Sequence, residues 1–424
     1  MCSSDLKENY TSPNQLHRNW FGPDQHYSNP YYARHRFKNS DERWRAFGYY
    51  AANVNLIDWL KFNAKYSFDY YRTRLQTSDL SLGDGAISTD GTGWEGKLVN
   101  DGMTRAEENH FEQNIQFLLM GDNQLAKKWR LGYTAGANIM YLKYEQLSAS
   151  VQNMLEKDNW IFNTGNKLTS ALDDGHSRAM YSAFASAQLA YDEWLSLDIT
   201  ARNDWSSTLP KKNNSFFYPS ASLSWVFSDF MRSIDHKLPS WITFAKLRVS
   251  AAQVGKDPAP YNLYNVRKYQ FEMGNRKPIN NTIKLNANLK PEIKTSYEVG
   301  VDMKFLDNRL GFDFTYYYNT TKNQAMLVDA SSPWTQQWVN AGKINNTGVE
   351  FMLYGTPVKT RDFQFDITAN LAHNRSTVKE LADGVNRVYF AGDSNMPVKV
   401  GAVKGGKLGD IFANNLMQIG RAHV

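Results

Sequence analysis

The chain has 424 residues, 42% hydrophobic, 14% aromatic and 21% charged, with a mean hydropathy of −0.57 and one cysteine. That average is too polar for a bundle of membrane helices, and no apolar run approaches the ~18 residues a spanning helix needs. The 24 Tyr, 23 Phe and 12 Trp exclude low-complexity disorder, which leaves all-β architectures: a large soluble sandwich or propeller, or a membrane barrel. Lys+Arg 48 against Asp+Glu 42 gives +6 with no basic block, so no nucleic-acid partner is expected. C-x-x-C, H-E-x-x-H and EF-hand patterns are missing from the sequence, so neither a metal nor another cofactor is expected.

In chain order, period-2 alternation predicts roughly twelve strands, near 44–57, 61–75, 105–120, 129–146, 177–192, 195–205, 216–228, 241–254, 292–306, 309–324, 343–357 and 361–377. The alternation is cleanest from Leu310, where Leu310, Phe312, Phe314, Tyr316 and Tyr318 share one face and Gly311, Asp313, Thr315, Tyr317 and Asn319 the other. Phe62, Ala64, Tyr66 and Phe68 form a second such run. Leu131, Tyr133, Ala135, Ala137 and Ile139 form a third, and Tyr297, Val299, Val301, Met303 and Phe305 a fourth. Short connections fall at Asp58, Gly121–Asn123, Asp192-Glu193, Asp307-Asn308 and Lys359-Thr360, with a longer, partly helical link from Asp229 to Pro239. Between them lie long segments, among them 76–104, 147–176, 255–291 and 325–342, that exceed ordinary hairpin loops. Short turns at one rim and long loops at the other are the pattern of an antiparallel transmembrane β-barrel with short periplasmic turns and long extracellular loops.

Four strands that leave a short turn begin with tryptophan: Trp59, Trp129, Trp194 and Trp241. Indole prefers the boundary between headgroups and acyl chains, so these four are candidates for a membrane-interface girdle. The competing explanation is that each caps the core of a soluble sandwich. Strands of ~12 to 16 residues are long for a sandwich and suit tilted membrane strands of ~9 to 11 or more.

The two ends differ from the rest. Met1 to Leu6 and Ile419 to Val424 read as a common sequencing-adapter string translated in opposite directions, so residues 1–6 and 419–424 are expected to be non-native. Residues 7–418 are then part of a longer protein, and the lack of a signal peptide carries no information about localisation.

The stretch Arg202-Asn203-Asp204-Trp205-Ser206-Ser207-Thr208-Leu209-Pro210, followed by Phe217-Tyr218-Pro219-Ser220-Ala221-Ser222-Leu223-Ser224-Trp225-Val226-Phe227, closely resembles the barrel of SusC/RagA-type TonB-dependent outer-membrane transporters. Lys246 to Ser250, Leu289 to Glu292 with Tyr297 to Gly300, and Asn340 to Glu350 add to the resemblance, which extends from about Asn29 to about Gly409. It implies a barrel of about 22 strands, of which roughly twelve are present, in the outer membrane of a Bacteroidetes-like Gram-negative cell. It also implies uptake of oligosaccharides or peptides, a SusD-like surface lipoprotein as lid, and a TonB complex engaged through a missing N-terminal region. A passive porin and a secreted all-β carbohydrate-binding protein are the rival classes.

The residues themselves give no support to catalysis. The eight His are scattered, and Asp173-Asp174 sits in a predicted loop where solvation explains it. Trp94, Trp160, Trp205, Trp334 and Trp338 lie in or beside predicted long loops and are the candidate substrate- or partner-binding residues. Flat rings flanked by Asn, Asp and Gln suit sugar faces and hydroxyls; packing of the loops on one another is the competing explanation.

Overall fold

The computed structural model describes residues 38–79, 102–154, 160–264, 268–272, 275–279, 282–382, 384–391 and 398–413. The adapter-like ends and Trp94 lie outside them. In chain order the strands are β1 (Lys38–Ile57), β2 (Leu60–Asp79), β3 (Gly102–Ala126), β4 (Trp129–Met154), β5 (Gly165–Tyr191), β6 (Leu195–Ser206), β7 (Ser215–Val226), β8 (Ile242–Lys256), β9 (Lys268–Glu272), β10 (Asn275–Ile279), β11 (Ile283–Lys284), β12 (Glu292–Phe305), β13 (Leu310–Lys322), β14 (Ala325–Asp329), β15 (Gln336–Asn340), β16 (Lys343–Lys359), β17 (Gln364–Glu380), β18 (Arg387–Ala391), β19 (Val398–Val403) and β20 (Asp410–Ala413). A short helix, α1 (Phe227–Ser233), follows β7 where a partly helical link is expected. No described helix is long and apolar enough to cross a membrane, which says nothing of crossing by strands.

One twelve-stranded sheet runs in the order β1-β2-β3-β4-β5-β6-β7-β8-β12-β13-β16-β17, matching the twelve expected strands one for one. Small sheets formed by β9–β10 and by β11, β15 and β14 occupy long connections, and one formed by β18–β20 follows β17. The chain clusters into two compact units: one holds Ser67–Asn114, Tyr141–Ser177 and the described residues up to Tyr50, the other Ala51–Tyr66, Ile115–Met140 and the described residues from Arg178 onward.

Register in the second unit separates two environments. Directly opposed residues share a face, and the row Leu189–Leu197–Leu223–Val249–Val299–Tyr316–Val349 is apolar across seven strands. One residue along, the row Gln188–Asp198–Ser222–Ser250–Glu298–Tyr317–Gly348–Asn374 is polar. The next row on the apolar side, two residues from the first, reads Tyr191–Leu195–Trp225–Leu247–Val301–Phe314–Phe351–Leu371. This apolar side is not packed away: Leu223 and Val249 are each 43% exposed and Leu371 65%. A soluble sandwich would bury it.

The short turns are tight for a local reason. Asp192 and Glu193 adopt φ of 47° and 63°, and Leu306, Asp307 and Asn308 lie at 53°, 54° and 64°, the left-handed region that Asp and Asn tolerate and that two-residue hairpins use. At the opposite end β3, β4 and β5 run past their expected limits, so that much of the expected 147–176 loop is strand. Along β4 the period of two in fact continues, with Leu147, Ala149 and Val151 against Gln146, Ser148, Ser150 and Gln152, whereas the start of β5, with Asp173-Asp174-Gly175, shows none.

Val301 lies at the centre of the apolar run Tyr297 to Phe305. In a full-length parent, Val301→Arg is expected to cost ~2 to 4 kcal/mol of folding stability in lipid vesicles, and Asp302→Arg much less. Urea titration of the two variants checks this, and equal penalties would mean the faces are exchanged.

Candidate functional site

At the short-turn rim, backbone hydrogen bonds repeat from hairpin to hairpin. The N–H groups of Asp122, Val226 and Leu306 donate to the carbonyls of Trp59, Trp194 and Trp241 at 3.3, 2.7 and 2.9 Å, and the Asp192 N–H donates to Lys128, beside Trp129, at 2.8 Å. Trp59, Trp194 and Trp241 therefore occupy equivalent places at the ends of neighbouring hairpins, and Trp129 stands one residue beyond that place. The rings of Trp129 and Trp194 belong to an aromatic chain: Trp129–Tyr191 at 4.7 Å, Tyr191–Trp194 at 5.3 Å, Trp194–Phe230 at 4.8 Å and Phe230–Trp225 at 5.7 Å. A second chain runs Trp241–Phe305–Phe312–Phe351 at 5.7, 6.1 and 6.0 Å. In the turns, Lys128 pairs with Asp192 at 2.6 Å, a hydrogen bond that holds the ammonium above its ordinary pKa.

The loop-side candidates separate. Trp205 stands inside β6 opposite Tyr181, with the same parity as Leu197, Ile199 and Ala201, so it lies on the apolar face and not over the polar one. Trp338 belongs to β15 and faces Leu327 of β14, while Trp334 sits in the turn joining those strands. This hairpin is pinned by Asn340, whose side chain accepts from the Lys290 N–H at 2.7 Å and donates to the carbonyls of Lys290 and Asn323 at 2.8 and 3.0 Å. Met326, Val328 and Val388 form a small buried core beneath it. Trp160, in the other unit, accepts a hydrogen bond from Arg105 at its carbonyl, and its indole nitrogen is buried with no partner among the described residues.

Several features of the polar face escape sequence reasoning. Asp257, almost fully buried, accepts from the Ser206 and Thr208 hydroxyls and pairs with Arg178 at 2.6 Å, tying the start of the 255–291 connection to β5 and β6. Beside it Asp204 accepts from Arg202 and Tyr218, and Leu209, Phe216 and Leu289 close a second small core. Lower on the wall, Arg248 crosses β12 to reach Asp313 and Thr315 on β13. It can do so because residue 300 is glycine: a Cβ there would stand 2.4 Å from the Arg248 Nε. A glycine in mid-strand is the one sequence signal for such a crossing. Among the described residues, no group of three or more His, Cys, Asp or Glu side chains is placed to hold a metal.

The family described as TonB dependent receptor-like, beta-barrel, matches residues 3–397. TonB-dependent receptor P3 of Formosa agariphila is 25% identical over 355 residues, which cover 79% of this chain and 33% of that protein. TonB-dependent receptor SusC of Bacteroides thetaiotaomicron is 28% identical over 209 residues, 46% of this chain and 20% of the relative. The chain therefore spans a third or less of the length of these curated relatives. The solved RagAB peptide transporter shares the fold with a TM-score of 0.74 at 19% identity, over 92% of this chain and 42% of that one.

Asp257→Ala would leave Arg178 and two hydroxyls facing a buried gap, at an expected cost of ~2 to 4 kcal/mol. In a full-length parent the expected outcome is faster proteolysis within 257–291 with the barrel still heat-modifiable on gels; an unchanged cleavage rate would remove Asp257 as the anchor.

Proposed function

The chain belongs to the TonB dependent receptor-like β-barrel family, and on that premise we propose that it forms part of the wall of a SusC/RagA-type importer in the outer membrane of a Gram-negative, Bacteroidetes-like cell. Oligosaccharides are the proposed cargo, a SusD-like surface lipoprotein the proposed lid, and energy relayed through TonB the proposed drive. The observation that carries the reading is the two-faced sheet: an exposed apolar side bounded at the short-turn rim by Trp59, Trp129, Trp194 and Trp241, and a polar side bearing the ion pairs. A secreted carbohydrate-binding sandwich has no use for the first, and a passive porin finds no support in a TonB-dependent family.

In this reading the apolar side meets lipid, the tryptophans form the interfacial girdle, and Trp205 with Tyr181 marks the other edge of the lipid-facing band. The polar side lines the lumen, where Glu298 and Glu350 present exposed carboxylates to whatever fills the barrel. Peptide cargo is the second reading, since the RagAB complex, which shares the fold, is a peptide transporter.

Trp334 and Trp338 are the loop aromatics proposed to meet cargo or lid. Replacing either by Ala in a full-length parent is expected to weaken capture or lid docking by about 1 to 3 kcal/mol while the barrel still assembles. Growth on glycan, pull-down of the neighbouring lipoprotein and heat-modifiability are the three readouts. Unchanged growth and pull-down in both variants would leave these rings as loop packing.

A further inference from the structure

We propose that the polar wall of the unit containing β1 carries a subsite for one pyranose ring of the cargo, with Phe47 as stacking platform and Asn114, Glu112 and Ser67 as hydroxyl partners. The proposal rests on the glycan-importer reading and narrows it to named residues.

Placement comes first. Arg43 bonds Thr73 and Arg45 bonds Asp69, so the odd-numbered residues of β1 share a face with Asp69, Tyr71 and Thr73 of β2. Tyr71 in turn stacks on His110 of β3 at 4.5 Å, which puts His110, Glu112 and Asn114 on that face too. Phe47, Tyr49, Ser67, Asp69, Glu112 and Asn114 accordingly converge on one cavity of about 260 Å³. That volume is below the roughly 300 Å³ at which sites for drug-sized ligands begin, so it holds a single ring of a chain.

The chemistry of the lining selects the ring. Phe47 is 72% exposed and shares its face with Asp69, Glu112 and Asn114. The Arg45 guanidinium lies 5.1 Å over the Phe47 ring and is itself locked by two hydrogen bonds to Asp69, at 2.8 and 2.5 Å. One face of the ring is thereby held and the other is open to a ligand. The Asn114 Oδ1 is buried with no hydrogen-bond partner among the described residues, an acceptor awaiting a donor. With the Glu112 and Asp69 carboxylates nearby the lining is rich in acceptors, which fits a ligand rich in hydroxyl donors. An ammonium group also donates, but the cation already stacked on Phe47 opposes a second one there.

The test uses the purified full-length transporter and a panel of α-glucan, β-glucan, xylan, galactan and uronan fragments, with a tryptic peptide digest as the contrasting probe. At least one glycan fragment is expected to bind, Phe47→Ala to weaken it about tenfold or more, Phe47→Trp to restore it, and Asn114→Leu to weaken it several-fold. Binding that is unchanged in Phe47→Ala overturns the subsite, as does a panel with no bound glycan or a Phe47 dependence confined to peptides. If the ring instead packs against a plug, Phe47→Ala raises vancomycin entry into cells with affinity unchanged, which also overturns it. Uptake that survives deletion of tonB defeats the importer reading itself, whereas TonB-dependent uptake indifferent to Phe47 defeats only the subsite.

Discussion

Backbone hydrogen bonding is the constraint on which everything else in this sheet depends. Inside hydrocarbon no water can satisfy an unpaired N–H or carbonyl, so a spanning strand must be paired along its length on both edges. Pairing fixes which residues lie opposite one another, and with a side-chain period of two a slip of one residue would turn every face over. The rows that include Leu197, Val249 and Val349, and Asp198, Ser250 and Gly348, show the outcome: each strand obeys the same parity as its neighbours. Irregularities are confined to where parity no longer matters, such as the shift between Lys304 and Phe305 and that between Gly355 and Val358, both beside short turns.

The rim carries a second consequence. Because tight turns hold neighbouring hairpins in step, aromatic side chains at the same position along each hairpin meet laterally, and the chain from Trp129 through Tyr191 and Trp194 to Phe230 is the result. Adjacent rings at 4.7 to 5.3 Å gain edge-to-face contact beyond their area. On the proposed reading, this belt sets the depth of the sheet in the bilayer.

How much of this is legible in sequence follows from the same physics. Strands such as β13 announce themselves because Leu310 to Tyr318 face two solvents, and the four tryptophans because they recur at turns. The far end of β4 does alternate, Leu147, Ala149 and Val151 against Ser148 and Ser150, and marks the strand as longer than its expected limit; the start of β5, with Asp173-Asp174-Gly175, carries no such signal. Trp205 could have been assigned to the apolar side from sequence alone, because Leu195, Leu197, Ile199 and Ala201 share its parity; proximity to a long connection is the weaker guide. Asp257 is different in kind. Its partners Ser206 and Arg178 are 51 and 79 residues away, and no local pattern encodes a meeting that only the register of three strands creates.

Relief on the polar wall is set by where long side chains are laid flat. Arg248 lies across Gly300, and Tyr317 lies so close to Gly348 that a Cβ there would approach its ring carbon to 2.4 Å, while its hydroxyl reaches Asn374 at 3.3 Å. Each arrangement presses a side chain that would otherwise stand into the interior against the next strand, closing a gap and leaving the surface smooth. On the proposed reading, such a wall lets cargo or a plug pass and holds neither. Recognition, on that same reading, falls where the wall is not smoothed: at the loop sheets, whose hairpin is pinned by Asn340, and at positions such as Phe47, whose ring is stacked against Arg45.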